Sequence, residues 1–340
     1  MNGSDSIGRL GAAFAGALAW VLTCAGLLCA GLLRAGAPAQ AQQKPARVTP
    51  AVVWNPEAAA VTSIREACAK GGAGRFTACF IEGMGPHGAS PEAVAFARLL
   101  ARRTHGELGY AINFTEGGRV AVVHAAFPQR KTAPEVWLLV NGSPGLIDVD
   151  DRSLWPLPKV QADLIFQEIR RTFPKAEVRQ GDRAEASPPL VPKPNGGQEF
   201  LVNYSLLNGC ATCKLAGHAQ FAFDFEGGRF SGARLVGVWM TPDQGQLAPV
   251  AAGSNFTIHL VADHAAGYSW KIVSIVNGQL LKHTGTDYRA PAGQAAKDGV
   301  EDWHFQSLAP GRSIIRFQKA QSGAKGKAPP KNFYFVVTGE

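Results

Sequence analysis

The stretch Gly253-Ser254-Asn255-Phe256-Thr257-Ile258-His259-Leu260-Val261-Ala262-Asp263-His264-Ala265-Ala266-Gly267-Tyr268-Ser269-Trp270 reads as strand, turn, strand. Phe256, Ile258 and Leu260 alternate with Thr257 and His259, the period-2 signature of a half-buried strand. Residues 263–267 are polar or small, so they predict an exposed turn in which Gly267 is free to take positive φ. Tyr268, Trp270 and Ile272 then share one face of the next strand, and we expect both aromatics in the core. Two such strands form a stiff scaffold that presents the short loop between them.

Outward from this hairpin the strand signals continue. Residues 299–305 carry Val300, Trp303 and Phe305, residues 309–311 supply an Ala-Pro-Gly turn, and 313–317 read as another strand. The last run, 332–338, alternates Phe333, Phe335 and Val337. Toward the N-terminus, residues 198–245 are also β-rich and hold the pair Cys210 and Cys213. Phe221, Phe223 and Phe225 alternate there, and Glu226-Gly227-Gly228-Arg229 is a hairpin turn. Residues 241–250 are expected to connect this segment to the final domain at 251–340.

Residues 184–197 contain four prolines and Asn195-Gly196-Gly197, the composition of a stiff exposed linker. Before it, residues 50–183 read as an α+β domain. Residues 61–69 predict a helix, and Ser90-Pro91 caps and opens a second helix running to about Arg103. Strand-like runs at 109–115, 119–127, 136–141 and 145–149 follow, and an amphipathic helix is expected over 161–173, ended by Pro174. The expected fold is thus an α+β N-terminal region followed by an all-β C-terminal domain.

The chain has 340 residues, room for about two domains at ~150 residues each. Its formal charge is +8, spread along the sequence without a block of five like charges except for the loose basic region from Lys319 to Lys331. Phosphate backbones are bound by clustered Lys and Arg, so no nucleic-acid partner is expected. An anionic envelope surface or an acidic protein remains compatible with that balance. Residues 11–33 are apolar apart from Thr23, lie between Arg9 and Arg34, and precede Ala37-Pro38-Ala39-Gln40-Ala41. This reads as an export signal, residues 1–41, cut near Ala41. The alternative is an uncleaved anchor through residues 10–33, since ~20 apolar residues span a bilayer. In both cases the body lies outside the cytoplasm, periplasmic or secreted, and touches a membrane only through that segment.

Cys68, Cys79, Cys210 and Cys213 follow the leader, an even number that in an oxidising compartment predicts two structural disulfides. Neighbour pairing would be 68–79 and 210–213, although sequence leaves the connectivity open. A 68–79 bridge would staple a loop rich in Gly71, Gly72 and Gly74. Cys210-Ala211-Thr212-Cys213 also has the spacing of redox and zinc pairs. It follows the turn signal Asn208-Gly209, however, and opens no helix that would acidify a thiol. Only His218 lies near as a further zinc ligand, so a hairpin-tightening bridge is expected instead. Asp148, Asp150 and Asp151 lack calcium-loop spacing and predict a solvated turn. No phosphate loop, metalloprotease helix or nucleophile elbow is present, so neither metal nor cofactor nor enzymatic activity is expected.

Residues 251–340 resemble the chagasin family of exported cysteine-protease inhibitors. In that family a strand leads into an Asn-Pro-Thr-Thr-Gly loop followed by an aromatic, a small residue and Trp. Residues 263–270 occupy that place here. Gly299-Val300-Glu301 matches the family's second, Gly-rich loop in outline, and Lys319-Ala320-Gln321 stands where its third loop begins Arg-Pro-Trp, followed by an inserted-looking 322–328. The resemblance implies an immunoglobulin-like β-sandwich with three loops at one end. It implies that these loops wedge non-covalently into the cleft of a papain-like cysteine protease, where a rigid loop loses little entropy. The residues it assigns to binding are Asp263, His264, Ala265, Ala266 and Gly267, then Gly299, Val300 and Glu301, then Lys319, Ala320 and Gln321. The sequence departs from the family where Ala265 and Ala266 replace both threonines, where Asp263-His264 replaces Asn-Pro, and where the third loop lacks its Trp. Two other readings stay open: an envelope protein using the sandwich as a non-inhibitory binding module, and a thiol-redox protein using Cys210 and Cys213.

Overall fold

A short helical cap opens the chain fold. In the computed structural model, α1 (Ala58–Cys68) and α2 (Ala73–Met84) form a helical hairpin, and α3 (Pro91–Arg103) follows. The structure describes residues 47–71, 73–131, 134–180, 190–193, 196–290, 298–321 and 331–339. The expected leader at 1–41 therefore lies outside the described residues. Among those described, no helix is long and apolar enough to cross a membrane.

The Cys68–Cys79 disulfide joins α1 to α2, so it clamps two helices where a stapled glycine loop was expected. Phe76, Phe80 and Met84 explain the second helix: their spacing of four makes one apolar stripe, and Phe80 and Met84 are fully buried. The glycines around residue 72 had masked that period. Gly83 allows the close crossing, because a Cβ there would lie 2.8 Å from Ile64 Cγ2. α3 begins as its sequence dictates. Ser90 Oγ accepts the Ala93 N–H at 2.9 Å, Pro91 follows, and Phe96, Ala97 and Leu100 face inward.

The first sheet is an antiparallel meander of β1 (Tyr110–Thr115), β2 (Ala121–Ala126), β3 (Glu135–Val140) and β4 (Leu146–Asp148). One face takes Phe96 and Leu100 of α3 against Val123, Val136 and Leu138. The other face, with Val122, Leu139 and Ile147, enters a larger core shared with the next layer. The helix expected over 161–173 is two helices, α4 (Leu157–Ala162) and α5 (Leu164–Thr172). Asp163 breaks it by turning extended and accepting the Ile165 N–H at 2.8 Å as an N-cap.

The acidic turn is not solvated as expected. Gln180 Nε2 donates to Asp150 Oδ2 at 2.6 Å, and Tyr204 and Trp155 both donate to the Val149 carbonyl between the acids. Burial raises Asp148, and burial together with the neighbouring Asp148 pushes Asp150 up to about 7.

The second sheet has the order β5 (Ala176–Arg179), β7 (Gln198–Asn208), β8 (Leu215–Glu226), β9 (Arg229–Trp239), with β6 (Leu190–Pro192) also pairing β7. Ala176 pairs with Asn208, so the described strands before and after the expected linker, β5 and β7, belong to one sheet. Phe200, Tyr204, Phe221, Phe223 and Phe225 fill the core on this sheet. Cys210–Cys213 closes the turn between β7 and β8.

The remaining seven strands form two facing sheets. These are β10 (Gly245–Val250), β11 (Asn255–Ala262), β12 (Tyr268–Val276), β13 (Leu281–Arg289), β14 (Gly299–Ser307), β15 (Gly311–Gln321) and β16 (Lys331–Gly339). Their orders are β10-β16-β15-β12 and β11-β14-β13. Ile258, Leu260, Trp303 and Phe305 of the smaller sheet meet Ile315, Phe317, Phe335 and Val337 of the larger. β10 was expected to be a connector. It pairs in parallel with β16 from Gly245–Tyr334 to Val250–Gly339.

The larger sheet is covered on both sides. Its outer residues Ile314, Tyr334 and Val336 join the core of α5 and the second sheet. Arg312 Nη1 donates to Asp163 Oδ2 at 3.0 Å, and the Tyr334 hydroxyl lies 3.4 Å from Thr172 Oγ1. Residues Pro45–Glu340 accordingly form one compact unit.

Candidate interaction loops at one end of the sandwich

The turn from β11 to β12 carries the chain from the smaller sheet to the larger and is closed by its own aspartate. Asp263 Oδ1 accepts the Ala266 N–H at 2.9 Å, the Asp263 carbonyl accepts the Tyr268 N–H at 2.8 Å, and Gly267 sits at φ 80°. A non-glycine residue at that φ would be strained, which is why glycine ends the turn. His264, Ala265 and Ala266 are exposed.

Neighbouring strands fasten this turn at several points. The His264 ring stacks on Tyr288 of β13, with centroids 3.8 Å apart and planes 10° apart. Its Nε2 lies 2.7 Å from Glu301 Oε1. Glu301 is only 4% exposed and also accepts from the Trp270 backbone N–H and from Trp303 Nε1, each at 3.1 Å. Gln321 Nε2 donates to the Ala266 carbonyl at 2.9 Å. Lys319 Nζ and Trp270 Nε1 both donate to the Val261 carbonyl, at 3.0 and 2.9 Å. Backbone pairing puts the same residues together, since Ala262 faces Gly299 and Tyr268 faces Gln321.

The three expected groups thus meet at one end of the sandwich, but only the first is a loop. Gly299, Val300 and Glu301 open strand β14, and Lys319, Ala320 and Gln321 close strand β15. The connections they border, 291–297 and 322–330, lie outside the described residues. Glu301 points inward because it shares the parity of Trp303 and Phe305, a signal present in the sequence and overlooked. Gly299 is a close-approach position, for a Cβ there would lie 2.6 Å from the Arg289 carbonyl oxygen. Of the two aromatics expected in the core, Trp270 is half-buried and packs against it, whereas Tyr268 is 37% exposed at the start of the edge strand β12. Tyr288, the stacking partner of His264, carries no motif and was not foreseen.

The outward face of the smaller sheet has its own ion network. Arg289 and His259 both bond the Asp302 carboxylate, and the bidentate Arg289 contact, with His259 second, holds Asp302 down to about 2. Among the described residues no group of His, Cys, Asp and Glu is arranged to hold a metal ion.

Solved structures similar to part of this chain include the cysteine protease inhibitor EhICP2 from Entamoeba histolytica, at 16% identity, TM-score 0.25, over 29% of this chain and 88% of that one. The solution structure of amebosin matches at 21% identity, TM-score 0.23, over 29% of this chain and 100% of that one. No curated protein matches the sequence. The C-terminal sandwich is matched, over residues 249–337, by the model of the chagasin family peptidase inhibitor I42.

Proposed function

We propose that this protein inhibits papain-like cysteine proteases by seating the 263–267 turn non-covalently in the active-site cleft. The observation that carries the reading is the family match over residues 249–337, which coincides with the seven-stranded sandwich that displays the turn. Members of that family inhibit peptidases, so the chain acts as an inhibitor and not as an enzyme. The turn supports this role physically. It is exposed at His264, Ala265 and Ala266, yet fixed at its base by Glu301, Gln321 and Tyr288, so little freedom is lost on binding. The sandwich is taken as immunoglobulin-like, with Gly299 and Val300 at the start of β14 and Ala320 and Gln321 at the end of β15 as second and third contacts beside the turn.

Two disulfides fit an oxidising compartment outside the cytoplasm. Export through residues 1–41 would deliver the chain there. The test is titration of residues 45–340 against papain with a fluorogenic substrate. Competitive inhibition is expected, weakened at least tenfold by Ala265→Arg, which places a bulky charge at the tip. No inhibition at high micromolar concentration would leave the sandwich as a binding module for some other envelope protein.

A further inference from the structure

We propose that the mouth of the sandwich holds a second, separate site, a pocket for the carboxylate of an apolar residue. A cavity of about 300 Å³ beside β11 is lined by the apolar residues Leu260, Val261, Trp270, Phe333 and Phe335. Gln246, His259 and Lys319 supply its polar groups, and of these His259 is already bonded to Asp302. That volume is at the small end of ligand sites, which run from ~300 Å³ upward, and suits one amino-acid-sized group.

Lys319 determines the chemistry. It shares the parity of Ile315 and Phe317, the inward residues of β15, so its side chain enters between the sheets where a strand of this pattern would carry an apolar residue. Its Nζ gives one bond to the Val261 carbonyl and lies 5.9 and 5.8 Å from the ring centroids of Tyr268 and Trp270. Among the described residues it forms no ion pair. The neighbouring connections at 291–297 and 322–330 contain no acidic residue, so neither can supply one. An ammonium half-enclosed by aromatic walls, with donors left over, favours an anion. The apolar walls select a carboxylate carried next to a bulky apolar side chain. N-acylated phenylalanine or leucine, and a peptide ending in such a residue, offer the same group. The site uses none of the tip residues 264–266 and stands independently of the inhibitor reading.

The test is calorimetric titration of residues 45–340 with N-acetylphenylalanine, with N-acetylphenylalaninamide, and with a short peptide ending in free phenylalanine. The acid is expected to bind about tenfold more tightly than the amide, the scale of one charge-assisted bond. Lys319→Met should abolish that difference and leave amide binding unchanged. Tighter binding of the peptide than of the free acid would assign the source as a chain terminus, and equal binding would assign it as the small acid. Equal affinity for acid and amide on the unaltered protein, or no heat from either at millimolar concentration, overturns the proposal. The first comparison needs no variant, so a misfolded Lys319→Met protein does not rescue it. Papain inhibition is measured in parallel: binding without inhibition sinks the protease reading alone, and inhibition without binding sinks the pocket alone.

Discussion

Glu301→Ala is the sharpest probe of how the display end is held. The carboxylate is 4% exposed and accepts from His264 Nε2 at 2.7 Å, from the Trp270 N–H and from Trp303 Nε1. Truncation leaves three donors. His264, at the surface, can turn to water. The Trp303 indole is buried and has no such exit, the Trp270 amide is only partly buried, and an orphaned buried donor costs about 1–3 kcal/mol. The expected loss is therefore roughly 1–4 kcal/mol, a sizeable share of the ~5–15 kcal/mol that keeps a protein folded. Glu301→Gln keeps the shape and one carbonyl acceptor, so about half that loss is expected. The assay is denaturant unfolding of residues 45–340 followed by near-ultraviolet circular dichroism, together with hydrogen exchange of the 263–268 amides. Both variants should exchange faster in that turn, and Glu301→Gln should weaken papain inhibition while remaining folded. A cost below about 1 kcal/mol for Glu301→Ala, with unchanged exchange, would show that the carboxylate does not hold the turn.

Two further outcomes are expected elsewhere in the fold. Asp150, raised to about 7 by burial, binds its proton more tightly folded than unfolded. Stability therefore falls as pH rises from ~4, the unfolded value, through about 7, and is flat above. Asp150→Asn keeps the acceptor for Gln180, so little change is expected at low pH and a gain on the order of 2–4 kcal/mol above neutrality. Equal effects of the substitution by urea titration on both sides of the window would remove the burial argument. Gly83→Val sets a side chain against Ile64, where 2.8 Å is available to the first carbon alone. A loss of about 1–3 kcal/mol is expected from the forced separation of α1 and α2, and an unchanged melting temperature would contradict the close crossing.

Much of this architecture is legible in the residues, for reasons that differ from place to place. Alternation over 256–260 marks β11 because one of its faces is buried and the other is not, whereas 333–337 reads as β16 through aromatic and β-branched residues buried on both faces. Ser90-Pro91 marks a helix start because cap chemistry is local. What local pattern hides is competition between signals. Apolar period runs straight through residues 157–172, and only the carboxylate of Asp163, bonding forward, splits the helix. Three glycines between Cys68 and Cys79 suggest a loop, yet tertiary packing of Phe80 and Met84 recovers a helix there. β10 has no face of its own to announce and is defined by its partner β16. At the display end, spacing located the 263–267 turn. Glu301 was misplaced because a charged residue reads as surface until its parity with Trp303 is followed.

The contacts of Ile314, Tyr334 and Arg312 with α5 and the second sheet carry a consequence for anything that meets this protein. Tyr334 pairs with Arg316, five residues down β15 from Gln321, so the anchorage sits roughly 17 Å behind the tip at ~3.3 Å per residue. The tip cannot swivel on a tether. A groove that admits it must leave room alongside for some two hundred residues of shoulder, and narrow-throated clefts are refused on size before any side chain is read. Severing that shoulder would bare greasy strand surface, so the blade is expected to be soluble only with its handle attached.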